Sequence, residues 1–325
     1  MSLPVEPAHV ESAPVGTAPS ESAIILGADG FIGRNLVREL AERGWQVHPI
    51  GRQEGDLADR DTALRLLANA PRARRIFHLA TRQRTGRVQY QIQGELLATN
   101  ARIHLNVLEA WQLHQPQAKL ISAGSSCAYP ELSRPIPEEA FQTGPLHPSV
   151  RGYGLSKQVL AEGSAVFGQQ YGLSWLHCLL ATVFGPHDHT APDRAHFMSA
   201  LIARAVAGWG AGQPRFEVWG SPDNVRDLLY VDDQIAAILA ADRGFSNTLL
   251  NVAANQPVSI GTAAAAICDC LGWPAEIVHP PDSFNGTAFK SIDSSRFLAA
   301  TGWQPRFGLA DGIKAVLAID YGIIR

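Results

Sequence analysis

Between residues 22 and 180 the chain switches repeatedly between two kinds of apolar pattern. Short continuous runs occur at 22–26, 46–50, 75–79, 119–122 and 174–180, each bounded by Gly, Pro, Asp or Ser, and they predict buried strands. The intervening stretches, 33–43, 59–68, 94–114 and 153–171, space their apolar residues for helices. In the long third stretch Leu96, Leu97, Ile103, Val107 and Leu108 recur near helical spacing. Strands alternating with helices of this length predict a parallel sheet covered on both faces. Beyond residue 180 the pattern loosens, and Gly, Pro and Trp rise between 184 and 223. Further helices are predicted near 195–209, 232–242, 260–271 and 309–321.

The first loop adds a function to this pattern. Gly27-Ala28-Asp29-Gly30-Phe31-Ile32-Gly33 follows the first strand and opens a helix. Glycines so spaced allow a tight turn, close approach of backbone to a pyrophosphate, and close helix packing, with the helix N-terminus toward the phosphates. The expected class is therefore α/β: a doubly wound parallel sheet of Rossmann type with a smaller mixed α/β C-terminal substrate domain. Residues 22–180, with about 226–254, are assigned to dinucleotide binding; residues 181–225 and 255–325 form the substrate part, with the substrate in the cleft between them. The second strand runs into Gly51-Arg52 where an NAD site usually carries an acid. Arg52 suits a 2′-phosphate, so NADP(H) is the expected cofactor, although Asp29 and Glu54 lie close and argue mildly for NAD.

The catalytic candidates come from two segments. Gly124-Ser125-Ser126-Cys127-Ala128-Tyr129-Pro130 follows the fourth strand, and Tyr153-Gly154-Leu155-Ser156-Lys157 opens a helix. Tyr and Lys four apart share a helical face, where an ammonium lowers the pKa of a phenol and lets it exchange a proton. A Ser at a strand end can hold the same substrate oxygen.

These segments resemble the extended short-chain dehydrogenases of the NAD-dependent epimerase/dehydratase family, and most closely the GDP-L-fucose synthases, which epimerise and reduce GDP-4-keto-6-deoxy-mannose. The likeness extends to Phe184-Gly185-Pro186-His187-Asp188, to Trp219-Gly220-Ser221 with Arg226-Asp227, to Asn285-Gly286-Thr287-Ala288-Phe289-Lys290, and to Asn100 and Asn106. The resemblance implies Cys127 as base, His187 as acid, Tyr153 as proton donor to the C4 oxygen, Lys157 on the nicotinamide ribose and Ser125 on the substrate oxygen. It implies cofactor contacts at Asp56, Leu57, Leu79 and Ala80, and sugar-nucleotide contacts, GDP-linked, at Ser126, Thr182, Trp219, Arg226 and Lys290. It also implies a homodimer through the two long helices. Two places depart from the family. Thr182 stands where the family has Asn, and the loop Ala80-Thr81-Arg82-Gln83-Arg84-Thr85-Gly86 is more basic and slightly longer. Both border the sugar, so another deoxysugar substrate is compatible. So are a simple 4-epimerase or 4-ketoreductase in which Cys127 and His187 take no part, and a catalytically silent dinucleotide-binding protein.

Composition narrows the remaining classes. The net charge of −3 gives no electrostatic footprint for nucleic acid, and no run of eighteen apolar residues predicts a membrane span. Residues 1–21, rich in Pro, Ala, Ser and Glu, lack the basic start and apolar stretch of a signal peptide and are expected to be a disordered extension. Four irregularly spaced cysteines predict neither a disulfide framework nor a metal site, and a cytoplasmic location is expected.

Overall fold

The computed structural model describes residues 21–191, 194–281, 283 and 286–324. The extension expected at 1–21 falls outside them except for Glu21, as does Asn285. The first half alternates as the sequence predicts: β1 (Ser22–Leu26), α1 (Phe31–Glu42), β2 (Gln46–Ile50), α2 (Arg60–Asn69), β3 (Arg75–His78), α3 (Gly86–Gln91), α4 (Gln93–His114), β4 (Lys119–Ala123), α5 (Arg151–Tyr171) and β5 (Trp175–Leu180). The second half adds β6 (Thr182–Phe184), α6 (Phe197–Gly210), β7 (Arg215–Glu217), β8 (Val225–Tyr230), α7 (Val231–Gly244), β9 (Thr248–Val252), β10 (Pro257–Ser259), α8 (Ile260–Leu271), β11 (Glu276–Val278), β12 (Phe289–Lys290), α9 (Ser295–Thr301) and α10 (Leu309–Tyr321).

The main sheet is wholly parallel with order β2-β1-β3-β4-β5-β9. The winding reverses at β1/β3, which opens a crevice at the carboxyl ends of those strands. Alternate residues of β1 serve opposite faces. Ile24 and Leu26 join Ile76, Leu120, Val107 and Trp111 under α2 and α4. Ala23 and Ile25 join Leu36, Leu40, Ile121 and Ile235 under α1 and α7. Burial on both faces is why these strands read as continuous apolar runs.

β8 lies outside the main sheet. It pairs with β6, β10 and β12 in a second sheet above the crevice, and the return to the main sheet is made by α7 and β9. The β12–β8 register sets Lys290 beside Arg226, across sixty-odd residues of chain. Among the described residues no helix is long and apolar enough to cross a membrane.

Candidate active site

A cleft of about 650 Å³ opens where the second sheet overhangs the carboxyl ends of β1, β3 and β4. Its floor begins at the glycine turn. Gly27 has φ +85°, and a Cβ there would stand 2.7 Å from the Ala80 backbone nitrogen. A Cβ on Gly33 would stand 2.1 Å from the Gly27 carbonyl oxygen. No side chain fits either place, so the N-terminus of α1 sits directly on the end of β1. Gly27, Gly30, Phe31, Ile32 and Gly33 line the cleft, as do Leu79 and Arg52. Arg34, which the sequence reading missed although it follows Gly33 directly, lines it too. The two nearby acids hold the loop backbone: Glu54 accepts from the Gly51 N–H (2.7 Å) and Asp29, which also lines the cleft, from the Arg52 N–H (3.2 Å). They shape the loop that presents Arg52. Three expected cofactor contacts are not among the residues lining the cleft. Asp56 turns back to accept from the Ala58 N–H (2.9 Å), Leu57 is buried in the core, and Ala80 packs against Gly27.

Ser125, Ser126, Cys127, Tyr153 and Lys157 meet at the middle of the cleft. The close approach is made by Gly154, where a Cβ would stand 2.3 Å from the Cys127 carbonyl oxygen. α5 therefore seats directly on the turn after β4. Burial pushes the Cys127 thiol up, but the Lys290 ammonium 3.0 Å from its sulfur, the Ser125 hydroxyl and the Arg226 guanidinium outweigh it and hold the thiol below its ordinary value. The sequence reading placed Lys290 on the sugar nucleotide; the structure sets its ammonium beside the thiol. Arg226 lines the same wall, donating to the Val225 and Thr287 carbonyls (2.7 and 2.8 Å).

One electrostatic expectation is overturned. Lys157 does not depress the Tyr153 phenol: burial first, and the Cys127 charge second, raise it above its ordinary value, with a hydrogen bond to Thr81 opposing. Lys157 instead donates to the Ala123 carbonyl (2.9 Å), and burial pushes its own pKa down to about 7. Thr81 is a second missed residue. Its hydroxyl also reaches Asn100 (3.2 Å), whose side chain bonds both the N–H and the carbonyl of Arg82 (2.7 and 2.9 Å). Asn106 does a similar service farther along α4, donating to the carbonyls of Leu57 and Ala58 (3.0 and 3.1 Å).

His187 is the clearest correction. It lies outside the cleft, with φ 68°, a half-exposed ring, and an N–H that donates to Asp320 of α10 (3.0 Å). The left-handed turn at His187 sets its backbone against α10. His189 and His196 line the cleft instead. His196 caps α6, and its ring lies 5.9 Å from that of Phe31. Thr182 and Trp219 line the cleft as expected, with Arg204 stacked on the indole at 4.7 Å. Among the described residues no group of three or more His, Cys, Asp or Glu could hold a metal ion.

The NAD dependent epimerase/dehydratase family model matches residues 23–253. A GDP-L-fucose synthase of Sinorhizobium fredii is 28% identical over 292 residues, covering 89% of this chain and 92% of that protein. Among solved structures, a GDP-L-fucose synthetase of Naegleria fowleri bound to NADP superposes with TM-score 0.81 at 20% identity, covering 98% of this chain and 100% of that one. A UDP-glucose 4-epimerase of Thermotoga maritima with UDP-glucose superposes with TM-score 0.80 at 22% identity, covering 93% and 99%.

Proposed function

The chain belongs to the NAD dependent epimerase/dehydratase family, and from that premise we propose that it is an NADPH-dependent epimerase/reductase of a 4-keto-6-deoxy sugar nucleotide. The observation that carries this reading is the Cys127–Lys290 contact in the cleft that also holds Tyr153. A reductase or 4-epimerase needs the phenol; it has no use for a thiol held toward thiolate.

A C4 ketone acidifies the protons on C3 and C5, so a base and an acid can invert those carbons. Cys127, its thiol held toward thiolate by Lys290, takes the proton. His196, in place of His187, returns one. Ser125 holds the C4 oxygen. Tyr153, kept protonated by burial, then donates to that oxygen. NADPH, when bound, supplies a hydride to C4. The chain's own residues fit this cofactor: the Gly27–Gly33 cradle admits backbone close to a pyrophosphate, and Arg34 and Arg52 suit a 2′-phosphate. Lys157, which lines the cleft, takes the nicotinamide ribose. Trp219, Arg226, Ser126 and Thr182 bind the sugar nucleotide, and the GDP-L-fucose synthase relatives support a GDP-linked one. The chain acts as a homodimer through α4 and α5, whose outer faces expose Leu105, Leu113, Val166 and Tyr171.

The test is NADPH oxidation with GDP-4-keto-6-deoxy-mannose and related 4-keto sugar nucleotides, in the protein and in Cys127→Ser. The reading expects the variant to stop making epimerised product while still oxidising NADPH. Full epimerisation without the thiol would return the chain to the simpler 4-epimerase or 4-ketoreductase class.

A further inference from the structure

The acid of the proposed epimerisation is held by two residues that the sequence reading gave no part in the chemistry. The Asp188 side chain is 1% exposed. Its carboxylate is oriented by three donors: the His189 N–H (2.8 Å), the Ser199 hydroxyl, and His196 Nδ1 (2.8 and 3.0 Å to the two oxygens). A buried carboxylate without such donors is costly, so this arrangement is tightly determined. On the other side of the ring, His196 Nε2 lies 3.1 Å from Gln83 Oε1. Gln83 belongs to the loop after β3 that departs from the family pattern. That loop is anchored one residue earlier by Asn100.

A neutral imidazole carries one N–H, and its place is set by whichever acceptor is fixed. Asp188 accepts only, so it fixes that proton on Nδ1. Nε2 is then the nitrogen that gains and gives the second proton, and Gln83 Oε1 is the acceptor that receives Nε2–H. Resting on the epimerase/reductase reading, we propose that Asp188 and Gln83 are positioning residues for His196, together presenting Nε2 alone to the sugar. In the step itself the Nε2–H bond breaks and a C–H bond forms at the enolate carbon, using the enolate electron pair. The ring is left neutral with its Nδ1–H still donated to Asp188, and water restores the proton on Nε2. Asp188 takes no proton.

The test has two arms. In the first, ¹⁵N-histidine NMR of the full chain, with His196 assigned by its absence in His196→Asn, is compared with Asp188→Asn. The proposal expects a protonated Nδ1 in the parent and a shift of the proton toward Nε2 in the variant. An unchanged Nδ1–H overturns it. This arm uses no substrate, so it stands even if the epimerase/reductase reading fails. In the second, deuterium exchange from D₂O into the 4-keto sugar nucleotide and NADPH oxidation are measured separately. Exchange should fall about a hundredfold or more in Asp188→Asn, and about tenfold in Gln83→Ala, while NADPH oxidation changes little. Gln83→Glu, which keeps the acceptor oxygen, should restore exchange. Gln83 sits on a loop, so its truncation leaves the core intact. Exchange and NADPH oxidation falling in parallel in both variants would mean a structural role and overturn the proposal. Absence of exchange in the parent would instead overturn the epimerase/reductase reading.

Discussion

Replacing Lys290 by Met removes a charge beside the thiol while keeping the length of the side chain. Two unit charges 3.0 Å apart attract by about 5.5 kcal/mol at an effective dielectric of 20. Lys290 is only half-buried, so water takes up part of this; a hydrogen bond to a charged group is worth about 1.5–3 kcal/mol net. At about 1.4 kcal/mol per decade that is roughly a ten- to hundredfold loss of thiolate reactivity. The sign follows from the balance at Cys127. Burial is the largest single influence and raises the thiol, and the two next largest, both lowering it, come from Lys290, so losing Lys290 moves the thiol upward. The assay is the pH dependence of alkylation by iodoacetamide. Cys127 can be read by itself because burial pushes Cys178 up to about 12 and raises Cys268 and Cys270 as well. Lys290→Met should move the Cys127 profile to higher pH and slow both alkylation at neutral pH and epimerisation by that factor. A variant with an unmoved alkylation profile and only a raised KM for the sugar nucleotide would show that Lys290 binds diphosphate and leaves the thiol alone.

Other substitutions test separate parts. His196→Asn should abolish most epimerisation, about a hundredfold or more, while His187→Ala stays within about twofold, as read by product analysis on the two variants side by side. Equal losses would place both rings in the chemistry. Arg52→Ala should raise the KM for NADPH about tenfold or more and leave that for NADH unchanged, as expected for one lost charge-assisted contact; a parallel rise in both would remove Arg52 from phosphate recognition. Asp227, buried in β8, has its carboxyl pushed up to about 6. A raised carboxyl contributes stability that is complete below its unfolded value and lost as pH rises through the folded value. Over about pH 4 to 6 the wild type should therefore lose up to roughly 3 kcal/mol relative to Asp227→Asn. Urea melts at pH 4 and 7 measure the difference, and an equal gap at both pH values would contradict it.

What the sequence disclosed and what it hid follow from chain separation and backbone detail. The β1–Gly27–Gly33–α1 unit and the Ser125/Tyr153/Lys157 set are legible because each is local or lies on consecutive elements of a regular alternation. Apolar runs place the strands, and the strand ends place the residues. His187 was expected in the cleft because three histidines fall within ten residues, and only backbone detail, such as the left-handed φ at His187, leaves it out while His189 and His196 line the cleft. Nothing in residue type separates them. The Cys127–Lys290 contact spans 163 residues and exists because a two-residue strand pairs beside Arg226. So short a strand has no period to read. Thr81 and Gln83 sit in a loop whose course is fixed by Asn100, itself buried on α4. The asparagine was noticed and its partners were not. The Tyr153 phenol was expected to be lowered by its helical neighbour. Burial, which spacing along a helix does not report, reverses the sign.

The most direct measurement is turnover of GDP-4-keto-6-deoxy-mannose with NADPH in D₂O, following cofactor absorbance and product mass together. An NADPH-dependent epimerase/reductase oxidises the cofactor and leaves solvent deuterium at C3 and C5, and Cys127→Ser loses the label but not the oxidation. Oxidation with no deuterium in the sugar would contradict epimerisation and leave Cys127, Lys290 and His196 as bystanders to a simple reductase.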